Sequence, residues 1–130
     1  MTIPTITSCT RPSNLHAALE LHYISGYRRL IGCWNPHGGD FAQHRNPAEA
    51  EEATLKLVGV LLAAANQLRP MGKTYAYAED FADELRNCAE RMSRCTFDLD
   101  NFHMEGSVHS ELSELSELLA RVNEEVLPRS

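Results

Sequence analysis

Apolar residues recur at helical spacing through four stretches of the chain. In the first, residues 13–31, Leu15, Leu19, Tyr23 and Leu30 share one face. Pro12 and Ser13 suit the opening of this helix, because Ser caps well and Pro fits a first turn. Ser25-Gly26 is a weak point inside it, since Gly costs about 1 kcal/mol relative to Ala in a helix. The second stretch has the clearest start: Asn46 can cap, Pro47 fits the first turn, and Glu49, Glu51 and Glu52 suit the positive end of the helix dipole. From Leu55 to Leu62 it is apolar nearly all round, which predicts a place in the middle of a bundle. Pro70-Met71-Gly72 predicts its end.

The third helix is expected from Thr74 or Tyr75 to Cys95. Ala78, Phe81, Ala82, Leu85, Ala89 and Met92 form its apolar stripe. Its other face carries Glu79, Asp80, Asp83, Arg86, Asn87 and Glu90, with Glu84 at the boundary. The fourth begins at Ser107 or Ser110 and runs to about Val126. Leu112, Leu115, Leu118, Leu119, Val122 and Val126 form a core-facing stripe. Between the third and fourth, Phe97, Leu99 and Phe102 predict that residues 96–106 tuck onto the bundle. The reading is an all-α, four-helix antiparallel bundle with a long loop between helices one and two. Residues 13–130 form one helical domain, preceded by a flexible arm over residues 1–12. The loop's length also permits a crossover connection between those helices.

Composition narrows the class. No run approaches the ~20 apolar residues of a membrane helix, and no secretory leader is visible, so the cytoplasm is the expected compartment. The four cysteines are then expected as thiols. Charge is unevenly spread. Residues 1–78 carry seven Lys/Arg and five Asp/Glu, whereas residues 79–125 carry four Arg and thirteen Asp/Glu. That acidic half disfavours direct nucleic-acid binding and favours a partner protein with a basic surface.

Candidate chemistry concentrates in residues 32–46. Cys33, His37 and His44 are metal-ligand types, but their C-x3-H-x6-H spacing matches no common zinc finger, and no resident cofactor is expected. Trp34, beside Asp40, has the make-up of an interface anchor. On the first helix, His16, Glu20, Tyr23 and Tyr27 form a polar-aromatic edge, and Arg28, Arg29 and Arg45 a small basic spot. Gly72-Lys73-Thr74 lacks the preceding glycine and strand of a phosphate loop, and the Asp98-x-Asp100 start lacks the later ligands of a calcium loop. There is no G-x-S-x-G and no H-E-x-x-H.

These residues favour a non-enzymatic protein-binding module, an inhibitor or adaptor of the kind a phage or other mobile element carries. Its docking surface is expected on the acidic helices (Glu79, Asp80, Asp83, Glu84) and at Trp34 and Asp40. The alternative is a small-molecule or nucleotide-sequestering protein with a pocket formed by Tyr23, Tyr27, Arg28, Trp34 and His37. A metal-dependent enzyme using Cys33, His37 and His44 is the third reading. The run His22-Tyr-Ile-Ser-Gly-Tyr-Arg-Arg-Leu30 resembles the start of the hairpin domains of phage proteins that sequester cyclic nucleotides, which supports the nucleotide alternative. The resemblance covers nine residues, and the acidic helix start and the Asn and Lys that should follow are absent. A homodimer follows if the stripes of helices one and four are not fully used within one chain.

Overall fold

The computed structural model describes residues 11–32, 47–94 and 108–128. Among them the protein is all-α, with four helices: α1 (12–32), α2 (Pro47–Leu68), α3 (Ala78–Ser93) and α4 (Val108–Glu125). The only strand-like feature among the described residues is an isolated bridge between Tyr75 and Pro128. The N-terminal arm up to residue 10, the segment 33–46 and the segment 95–107 lie outside the described residues.

The first helix starts at Pro12, one residue earlier than Ser13. Arg11 takes the cap position without a side-chain cap, and Leu15 N–H donates to its carbonyl at 3.1 Å. Its apolar face follows a different register from simple helical spacing. Glu20–Ile24 is a π turn between the α-helical pieces Pro12–Leu19 and Ser25–Gly32. A π turn admits one extra residue, so the buried series runs Leu15, Leu19, Ile24, Tyr27. Tyr23 and Leu30, expected in the core, are only half-buried as a result.

The third helix begins later than predicted. After α2 a short 3-10 turn, Arg69–Lys73, continues past Pro70. Ala76 N–H then donates to the carbonyl of Leu127 at 2.9 Å, and Tyr77 takes a left-handed conformation (φ 65°) ahead of Ala78. A tyrosine rarely adopts that conformation, and it cannot be continued into an α-helix, so α3 starts only at Ala78.

Helix α4 runs antiparallel to both α1 and α3. Tyr27 of α1 meets Thr54 of α2 through a 2.6 Å hydroxyl–hydroxyl hydrogen bond. Along α1 and α4, Asn123 Nδ2 lies 2.7 Å from His16 Nδ1, while Arg28 donates to Ser116 Oγ at 2.6 Å. Along α3 and α4, Arg121 pairs with Glu84 and Arg91 with Glu111. In both pairs of helices one number rises as the other falls. The most extensive contact is α2 with α3. Leu61 and Leu68 of α2, Phe81 and Met92 of α3, Leu19 and Ile24 of α1, and Leu115 of α4 are all but fully buried. Each such side chain contributes roughly 1.5–3 kcal/mol of transfer free energy. No helix among the described residues is long and apolar enough to cross a membrane.

Candidate functional site

The site follows from the glycines of two helices and the π turn. Gly26 of α1 and Gly59 of α2 are both exposed, and a Cβ added at either would meet nothing within 4 Å. Where these helices pass each other, side chains are missing from both walls. The result is an open cleft of about 610 Å³. Its floor is apolar, with Ala53, Leu57 and Val60 from α2 and the ring of Tyr27 from α1. The π turn swings Tyr23 and Leu30 onto its α1 wall. Leu55 and Lys56 form the α2 lip, and Leu55 is 51% exposed. Lys56 carries an i,i+4 contact to Glu52 at 3.6 Å, so its charge is compensated along its own helix.

Of the residues expected to line a ligand pocket, Tyr23 and Tyr27 lie along this cleft. Tyr23 lies half-buried in the wall. Tyr27 is buried and contributes its ring to the floor, while its hydroxyl is engaged with Thr54. Arg28 does not join them. It bonds Ser116 on α4 and approaches Glu20 at 3.7 Å, so it does not line the cleft. His16 and Glu20, 4.0 Å apart, are engaged beside Asn123 and Arg28. Trp34, His37 and Asp40, and the metal-ligand types Cys33 and His44, lie outside the described residues. No group of three metal-ligand side chains occurs among the described residues.

The acidic side of the molecule is laced with arginine. Asp83 is paired with Arg69, and Glu84 with Arg121 at 3.6 Å. Arg121 also lies 5.0 Å from the centre of the Phe81 ring and meets Glu125 at 3.3 Å, which raises its pKa. Glu79 folds over the backbone of Gly72, where an added Cβ would stand 2.7 Å from its Cγ. Of the four carboxylates nominated on α3, Asp80 alone is placed by none of these contacts. Among the described residues Glu111 is the one acid whose side chain is largely buried. Arg91 Nε stands 2.8 and 2.9 Å from its two oxygens, and this bond raises the arginine's pKa. Next to it the buried Cys88 thiol is pushed up to about 12, first by burial and then by the Glu111 carboxylate. A thiol so held is unreactive, because the nucleophile is the thiolate. A small polar cleft of about 140 Å³ lies above this pair, between α3 and α4.

Sequence spacing missed the cleft. Its signals are the five-residue step from Leu19 to Ile24 and the glycine inside an otherwise strong helix at residue 59. No protein-family model matches the chain, and no curated protein or solved structure matches it, so the geometry alone speaks for its function.

Proposed function

We propose that the protein is a non-enzymatic protein-binding module that docks its partner on the apolar face built by α1 and α2. One observation carries this reading: a wide apolar cleft with a half-exposed leucine at its lip, on a helix whose sequence calls for cover all round. The acidic α3–α4 side has the opposite character. Four of its carboxylates, Asp83, Glu84, Glu90 and Glu125, sit in exposed ion pairs, and such pairs contribute little net energy. Docking is thus proposed at the cleft as well as on the carboxylates of α3 expected from the sequence, and the anionic side selects against nucleic acid and other anionic partners.

The chain supplies its own test. Its two lysines, Lys56 and Lys73, sit at the lip of the cleft and in the turn after α2. Amine-reactive cross-linking in native host cells should join Lys56 to other polypeptide chains, with Lys73 as the internal control. Cross-links to other chains that favour Lys73, or none at Lys56, would refute the reading.

A second reading rests on the volume of the cleft, which falls in the range of small-molecule sites. With Arg28 turned away and Lys56 paired with Glu52 at the lip, an apolar ligand stacked on Tyr23 fits better than a nucleotide. A thermal-shift panel of apolar compounds and nucleotides separates the two, because a ligand raises the melting temperature by mass action.

A further inference from the structure

The outward side of α2 differs from those of α3 and α4. Leu55, Gly59 and Asn66 are exposed along it, with Leu62 and Ala63 half-buried beside them. These positions lie within one broad stripe at 100° per residue. No charged residue occurs from Leu57 to Leu68. The outward faces of α3 and α4 instead carry Glu79, Asp80, Asp83, Glu114, Glu117 and Glu124. For a chain of net charge −6, most approaches between two copies bring carboxylates together. The α2 face brings few together, since it holds no charge from Leu57 to Leu68 and Lys56 is compensated by Glu52.

We infer that the occupant of the apolar α1–α2 face is a second copy of this chain, docked through an antiparallel crossing of the two α2 helices at Gly59. The inference rests on the protein-binding reading above and names its partner. Charge sets the direction. A parallel pairing would stack Glu51 and Glu52 of one copy on those of the other. An antiparallel crossing at Gly59 sets Glu52 opposite Asn66 and Glu51 opposite Gln67, where amide N–H groups can donate to the carboxylates. The same crossing sets Leu55 against Ala63, and the absence of a Cβ at Gly59 lets the backbones approach.

The size of the face sets the strength. The stripe from Glu52 to Asn66 is about 21 Å long at 1.5 Å per residue and about 10 Å wide. That is well short of the ~800 Å² per partner of a standard interface. The cleft rim at His22 and Gly26 must join it, and the dimer belongs among weak, exchanging pairs with dissociation constants on the order of micromolar.

The test uses the full chain. Light scattering at about 100 μM should give twice the 14.6 kDa of one chain, falling toward that mass on dilution. Leu55→Glu, at an exposed position, should keep its circular dichroism and remain monomeric. In a background with Cys9, Cys33 and Cys95 changed to Ser, Gly59→Cys should oxidise to a covalent dimer. Glu52→Cys should not, because the crossing holds the two copies of residue 52 about 21 Å apart. Cross-linking through residue 52 as readily as through 59 would overturn the antiparallel crossing. A chain monomeric at every concentration overturns self-docking. If Lys56 nevertheless cross-links to other polypeptides, the protein-binding reading survives; if it does not, both readings fall.

Discussion

Three glycine-to-alanine substitutions should separate by sign, and the separation tests the packing directly. At Gly26 and Gly59 an added methyl enters open space. The effect is then that of helix propensity and of a less flexible unfolded chain, a gain of about 1 kcal/mol at each site. For a domain of this size that corresponds to a rise in Tm of roughly 3–5 °C. At Gly72 the same methyl would stand 2.7 Å from Glu79 Cγ and 2.8 Å from its Oε2. Carbon contacts become repulsive well outside that distance. Glu79 is exposed and can swing away, but it gives up its place over the turn, so the expected result is a loss of about 1 kcal/mol. The clash partner is a single side chain, so in a Glu79→Ala background the Gly72→Ala change should lose its cost. Urea denaturation followed by circular dichroism measures all of these, provided the protein is dilute enough to be monomeric and the slope m is unchanged. Equal shifts for Gly59→Ala and Gly72→Ala, or a destabilised Gly59→Ala, would refute the account of the cleft as space left by missing side chains.

Other consequences follow from the buried polar groups. Tyr27→Phe removes one partner of the 2.6 Å bond to Thr54 and should cost about 1 kcal/mol, with the Tyr27→Phe/Thr54→Val pair costing less than the sum of the single changes. Arg91→Ala leaves the Glu111 carboxylate without the Nε donor 2.8 Å away and should destabilise by about 2 kcal/mol, less than for a fully buried pair because Arg91 is half-exposed. A double-mutant cycle that gives no coupling between these two would show that water replaces the arginine. Cys88 should resist iodoacetamide at neutral pH until the chain unfolds. Its folded-state pKa of about 12 lies above the ordinary 9.0, so the unfolded chain loses this proton first. The thiol's contribution is intact below pH 9 and is lost as pH rises toward 12. Stability measured across that window should fall more steeply for the natural chain than for Cys88→Ala, and matching slopes would count against the assignment.

Much of the fold was legible in residue order because helices are local. The stripe of α4 from Leu112 to Val126 is buried as its spacing implied, and so are Ala78, Phe81, Leu85, Ala89 and Met92 of α3. The all-round apolar character of Leu55 to Leu62 predicted a central α2; Leu57, Val58, Val60 and Leu61 are buried, but Leu55 and Gly59 are exposed, so α2 packs through one side and is not enclosed. Boundaries were less legible where a distant partner set them. The start of α3 depends on the bond from Ala76 to Leu127, two residues far apart in the chain. The charges of α3 could be counted in advance, but not their pairing, because Arg69 and Arg121 come from elsewhere in the fold.

The amino-acid order by itself determined the helices, their apolar faces and the anionic balance of the second half, because these depend on periodicity and composition alone. Tertiary packing decided that α1 takes a π turn, that Tyr27 is buried while Arg28 faces α4, and that Gly26 and Gly59 leave a cleft. Those outcomes depend on how one helix passes another in space, and a surface without side chains becomes a cavity only when a neighbour walls it.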